Sequence, residues 1–288
     1  MVPIAKALAA VIAAIATPAM GAPSHAIARA GAAATLLDKP TVNPPVTNLD
    51  EYLLRQLMYA KPEITPWACD LGKPNGCFVS TYCKDIFLKE NHSLKYIDMF
   101  DVMYEDCDRP WMMCQHKTAP FQRNVTAEYF ARIPVGMRKW VRHVVALPAD
   151  NHGGSDAIYD GDNIIIKGYP SLHDIIAAVA RAVAVHGYAR YGPFWKTYEW
   201  EEAYNLDSAV LNSFSQQSQE ENLKQMTVLS LYGAQNPNLV SNRVPEFHKV
   251  INMYNAIQGA ARENTFTVVK GWNCPERLMD SDVEPLET

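Results

Sequence analysis

The chain has 288 residues, 48% of them hydrophobic, which is enough to bury a sizeable core in one large domain or one and a half. Its 31 acidic and 26 basic residues are well mixed and leave a formal charge of -5. No basic block exists to grip phosphates, so nucleic acid is excluded as a partner.

The first residues read as a targeting segment. Lys6 precedes the apolar run ALAAVIAAIA, and Ala19-Met20-Gly21 supplies small residues at a cleavage position, so residues 1–21 are expected to be a signal peptide and the chain secreted or held in the secretory lumen. The apolar run is too short to span a bilayer, and no membrane insertion is expected after cleavage. Residues 22–47, rich in Ala, Pro and Thr, read as a flexible leader.

Residues 48–120 form a Cys-rich zone. NLDEYLLRQLMYA is a helix, with Asn48 or Asp50 as cap and Leu53, Leu54 and Leu57 as an apolar stripe. The rest is Cys-, Pro- and Gly-rich and reads as a stapled region with little regular structure. Cys69, Cys77, Cys83, Cys107, Cys114 and Cys274 are even in number in an exported chain, which predicts three disulfides whose pairing the spacing leaves open. The sequons at Asn91 and Asn124 place their loops on the surface as glycosylation sites.

Residues 121–280 are more regular. TAEYFARI and GMRKWVRHVVAL read as helices broken at Pro134, and DNHGGSDAIYDGD as a solvated loop rather than a calcium site. NIIIK, between Gly161 and Gly168, suits a buried strand. SLHDIIAAVARAVAVHG is a helix capped by Ser171. Further helices follow around FWKTYEWEEAYN, through SQEENLKQMTVLSLYGA and through PEFHKVINMYNAIQGAA. TFTVVKGW reads as a returning strand and residues 281–288 as a solvated tail. The fold class is therefore α+β, mostly helical, with a small sheet and a disulfide-stapled N-terminal region. No GxSxG elbow, GxGxxG turn or P-loop is present, and no cofactor is expected.

Several stretches in order carry a family resemblance: CDRPWMMCQH, PVGMRKWVRHVVALP, IIIKG, the LHD helix start, AYNLDSAV and SQQSQEENLKQMTVLSLY. Over roughly Cys69 to Cys274 the chain resembles the fungal secreted conidiation-specific, zincin-like peptidases. The resemblance implies a zincin-like domain with a substrate-binding edge strand before an active-site helix that opens His-Glu-x-x-His, and a later Glu. Carried over, His173 matches the first His, Asp174 the general base, Ala177 the second His and Glu221 the later Glu, with Asp207 a third residual candidate. Two imidazoles one turn apart can reach one zinc, but the Ala177 methyl can donate nothing to a metal. His186 cannot substitute, since it lies about 20 Å further along a continuous helix. The chain therefore reads as a degenerate member with no metal site, His173 and Glu221 being the remaining candidate ligands.

The aromatic block after this helix, Tyr188, Tyr191, Phe194, Trp195, Tyr198, Trp200 and Tyr204, carries two readings: core packing with a few polar tips, and, as the functional one, the wall of a cleft for a hydrophobic small molecule. His173, Asp174, Trp195 and Tyr198 are the candidate catalytic residues. Tyr188, Tyr191, Trp200, Tyr204 and Glu221 are the candidate binding residues. The resemblance further implies a place among fungal secondary-metabolite proteins and a metal-independent cyclisation of the Diels–Alder type. The alternatives are an altered-site zinc peptidase and a non-catalytic secreted or spore-surface binder.

Overall fold

Val144 and Ala146 pack into one apolar cluster while their neighbours Val145 and Leu147 pack into another, so the strand that carries them is covered on both faces. That alternation organises the fold seen in a computed structural model, which describes residues 36–57, 60–69, 76–149, 154–188, 191–262, 264–267, 274 and 277–286. The signal-peptide reading of residues 1–21 lies outside the described residues, as does the leader through residue 35.

The elements in chain order are α1 (Asp50–Gln56), β1 (Pro62–Pro66), β2 (Phe78–Ser80), α2 (Thr81–Lys89), β3 (Ile97–Tyr104), β4 (Trp111–His116), α3 (Arg123–Ala131), α4 (Val135–Arg138), β5 (Val144–Leu147), β6 (Asp156–Asp160), β7 (Asn163–Lys167), α5 (Leu172–His186), α6 (Tyr198–Leu206), α7 (Gln219–Gln235), α8 (Val240–Arg243), α9 (Ile251–Ala260) and β8 (Val283–Pro285). The fold is mixed α+β. One six-stranded sheet has the order β1-β3-β4-β5-β7-β6, and β2 pairs with β8 in a separate ribbon. The β4-β5 and β5-β7 pairs are parallel and the others antiparallel. One face carries the main core with α1, α3, α5, α7 and α9, and the other carries α2 through Ile86 and Phe87.

Several expectations are corrected. The zone 48–120 holds regular structure: β3 and β4 are interior strands, with Phe100, Val102 and Tyr104 on the main core and Met99 on the opposite one. Short strands and interspersed cysteines masked this period of two in the sequence. HVVAL is not the end of a helix, because α4 stops at Arg138 and Val144–Leu147 is β5, whose β-branched pair is buried from both sides. DAIYD is not a loop but strand β6, joined to β7 by a tight turn in which Gly161 and Asp162 take φ of 51° and 71°. NIIIK is a buried strand, β7, but it is interior, and β6 forms the edge. Of TFTVVKGW, residues 265–267 are not strand, and 268–272 lie outside the described residues.

Both ends of the described chain are tied down. In the expected leader, the Val42 amide donates to the Val210 carbonyl and the Val210 amide to the Pro40 carbonyl, with Val42 and Val46 buried. In the expected tail, β8 pairs with β2, and the Leu286 amide donates to the Cys77 carbonyl. Each end covers apolar side chains that would otherwise meet water. Three disulfides join Cys69 to Cys77, Cys83 to Cys114 and Cys107 to Cys274, which suits an oxidising compartment. Among the described residues, no helix is long and apolar enough to cross a membrane.

Candidate functional site

Helix α5 starts where two caps converge. Ser171 accepts the Asp174 amide while the Asp174 carboxylate accepts the Ser171 amide, a reciprocal capping box. Asp50, at the start of α1, accepts the amides of Leu172 and His173 at 3.2 and 2.7 Å, satisfying two more orphan donors. The N-cap of α1 is neither Asn48 nor Asp50 but Leu49, which makes no side-chain cap bond; Asn48, one residue further out, accepts the Asp50 amide on Oδ1 at 2.6 Å.

From this start, His173, Asp174, Ala177, Ala178 and Arg181 share one face of α5 and line a cleft of about 370 Å³. Edge strand β6 supplies Asp156 to Tyr159 as a second wall. Helix α7 supplies Glu220, Glu221, Lys224 and Gln225, and Thr47, Phe214 and Gln217 complete the lining. The cleft thus brings His173, Asp174 and Glu221 together.

His173 is held by a network that starts at the backbone. Asn212 donates through Nδ2 to the Val46 carbonyl at 2.6 Å and accepts the Ser215 amide on Oδ1 at 2.9 Å, so its amide orientation is fixed. The same Nδ2 donates to Gln225 Oε1 at 2.9 Å, and that oxygen lies 2.9 Å from His173 Nε2. Gln225 Oε1 therefore accepts from both, and Nε2 of His173 carries a hydrogen. Its Nδ1 is buried with no hydrogen-bond partner among the described residues.

The carboxylates and cations of the cleft are mostly spoken for. Asp174 Oδ2 accepts from the Ser171 amide and hydroxyl, at 3.1 and 2.6 Å. Glu221 pairs with Lys224 at 2.7 Å, and Glu220 with Arg181 at 2.9 Å. Arg181 also lies over the ring of Tyr159, whose hydroxyl donates to Asp162. Asp207 is corrected as a candidate ligand: its oxygens accept the Asn252 and Met253 amides at the start of α9, away from the cleft. Burial raises its pKa, and the hydrogen bonds from Met253 and Asn252 oppose that rise.

Zinc does not fit these residues. Nε2 of His173 is committed to Gln225, Glu221 is paired with Lys224 and Ala177 offers no donor, so the one unengaged nitrogen of the ring, Nδ1, lacks the further ligands a zinc site needs. The one group of three potential ligand side chains among the described residues contains Cys107 and Cys274, which are joined in a disulfide.

The aromatic block is also corrected. None of its seven rings lines the cleft. Phe194 and Trp200 are buried in the main core, and Tyr188 packs against Phe194. The Trp200 indole donates to Gln219 and the Tyr204 hydroxyl to Asp38. Trp195 is partly buried against the main core, and Tyr191 and Tyr198 are solvent-exposed. Asn91 is exposed in a turn, while Asn124 lies in the first turn of α3 rather than in a loop.

Sequence reasoning missed Asn212, Gln225, Arg181, Lys224 and the β6 wall. Some of this was signalled: Arg181 follows Ala177 by one turn, and Gln225 follows Glu221 by one turn, which puts each on the site-bearing face of its helix.

The disulfide-stapled α+β architecture, with a polar cleft beneath an edge strand, describes a class of protein only broadly. The family model for conidiation-specific protein Con-13 matches residues 63–265, and the chain belongs to this fungal family. No curated protein and no solved structure matches the chain.

Proposed function

We propose that this Con-13 family member is exported and that its cleft serves a small organic molecule without the help of a metal. The commitment of His173 Nε2 to Gln225, one turn before the methyl of Ala177, is the observation that carries this reading. The cleft walls fit this reading: edge strand β6 and helix α5 line it together, the arrangement expected of a substrate strand beside a site-bearing helix. The expected hydrophobic partner retains Ala157, Ile158, Ala177, Ala178 and Phe214 as its apolar contact surface.

A cyclisation of the Diels–Alder type is the reaction class we assign. Such a step breaks no bond to hydrogen and needs shape and hydrogen bonding rather than a free acid and base. The mutually paired Arg181–Glu220 and Lys224–Glu221 groups are compatible with that demand. The same pairing also favours a second reading, a non-catalytic binder.

Metal analysis of protein purified without chelator tests the metal-independent reading, with substoichiometric zinc expected. Stoichiometric zinc that a chelator removes together with casein cleavage would sink it. Deleting the gene separates enzyme from binder: a changed profile of small-molecule products supports catalysis, and an unchanged profile supports binding alone.

A further inference from the structure

Resting on the reading of the cleft as a small-molecule site, we infer that its ligand carries a neutral phenol or enol hydroxyl, which donates its hydrogen to Nδ1 of His173.

The chain of donors and acceptors leads there in one direction. The Val46 carbonyl can only accept and the Ser215 amide can only donate, so together they set Asn212. Asn212 sets Gln225, and Gln225 sets the hydrogen on His173 Nε2. What remains on the ring is Nδ1, on a residue only 3% exposed that lines the cleft. The buried lone pair is therefore an unmet acceptor on a side chain that lines the cleft, and a ligand hydroxyl meets it. Asn212 and Gln225 are positioning residues: they hold the ring so that Nδ1, not Nε2, is left for the ligand.

The lining selects the charge and shape of the rest of the ligand. Four carboxylates, Asp156, Asp174, Glu220 and Glu221, stand against two cations, Arg181 and Lys224, so an anionic ligand is repelled. Both cations are already paired with carboxylates of the cleft. The two adjacent alanines, Ala177 and Ala178, leave a shallow apolar floor beside Ile158 and the ring of Tyr159, which suits a flat body.

The test uses the full chain and three probes of one shape: 4-ethylphenol, 4-ethylanisole and 4-ethylbenzoate, titrated by NMR chemical-shift mapping. The phenol is expected to bind at least about fivefold tighter than its methyl ether, which can no longer donate, and the benzoate not measurably. His173→Phe is expected to abolish the preference for the phenol, and Gln225→Met to weaken it. Equal binding of phenol and ether, no binding of the phenol, or a preference that survives His173→Phe would each overturn the inference. Nitrogen-15 shifts of the wild-type imidazole supply a readout that needs no variant: the hydrogen is expected on Nε2, and finding it on Nδ1 overturns the inference. Equal binding of the neutral probes leaves the small-molecule reading standing, whereas stoichiometric zinc removes that reading itself.

Discussion

Nε2 of His143 accepts the backbone N–H of Ser281 at 3.1 Å, which ties the C-terminal strap carrying β8 to the start of β5. Nδ1 of the same ring lies 3.0 Å from the Met112 carbonyl, which can only accept, so Nδ1 carries the hydrogen and the fully buried ring is neutral.

This ring makes stability depend on pH. Burial holds the His143 pKa below the ordinary 6.5, against the opposing pull of the Met112 carbonyl and Asp280. His92 and His116 are lowered from 6.5 chiefly by burial as well. A histidine with a lowered folded-state pKa binds fewer protons than it does in the unfolded chain. Its contribution is therefore complete above the unfolded value and is lost as pH falls below it toward the folded one. The melting temperature is expected to drop between about pH 7 and about pH 5. His143→Asn should melt lower at neutral pH but show a shallower drop, with faster amide exchange around Ser281. Parallel pH profiles for the two proteins would refute the role of this ring.

The three disulfides should differ in what they contribute. Cys107–Cys274 spans 167 residues of sequence, against 31 for Cys83–Cys114 and 8 for Cys69–Cys77. Loop-closure entropy then predicts losses of about 5, about 4 and about 2.5 kcal/mol when each pair is replaced by Ala. Calorimetry of the three double variants checks the order, and a Cys69/Cys77 variant that loses most would contradict it.

Arg138 is fully buried and donates to both Asp106 oxygens, at 2.6 and 2.5 Å, with its guanidinium 4.4 Å from the Tyr104 ring centre. Removing the cation strands a buried carboxylate. Arg138→Met is expected to cost about 3–5 kcal/mol in urea unfolding, and adding Asp106→Leu should restore most of it. No recovery in the double variant would show that the guanidinium acts mainly by packing on the Tyr104 ring.

Ala177→His would place a second imidazole one turn after His173, on the face that lines the cleft. Zinc affinity, read by thermal shift and equilibrium dialysis, is expected to rise at least about tenfold over the wild type. A variant that gains no zinc affinity would show that the bond to Gln225 keeps the His173 imidazole from a metal even with a second imidazole one turn away.

Much of the α5 site was legible before any coordinates. Ser171, His173, Asp174 and Ala177 are spaced at helical intervals in one stretch, so local geometry alone put them on one face. Glu221 was found by resemblance and does reach the same cleft. The aromatic block shows where such reasoning stops. Proximity in sequence to α5 said nothing of direction: Phe194, Trp200 and Tyr204 are buried in the core, while Tyr191 and Tyr198 face solvent. The strands β3, β4, β5 and β6 were missed for a related reason: runs of four to eight residues carry too few periods to separate a strand from a helix end or a loop.

By itself, the sequence determined the mixed α+β class, the disulfide complement and the capped α5 helix. All of these follow from residue chemistry or from spacing within one element. Only the tertiary structure decided which strands share the sheet, that β6 forms its edge, and that His173 is committed to Gln225. The reason is physical: Gln225 lies on α7, and the Asn212–Val46 bond that orients it joins segments far apart in the chain. A hydrogen on Nε2 rather than Nδ1 is a local fact about one ring, but it is set by contacts that exist only after the helices have packed.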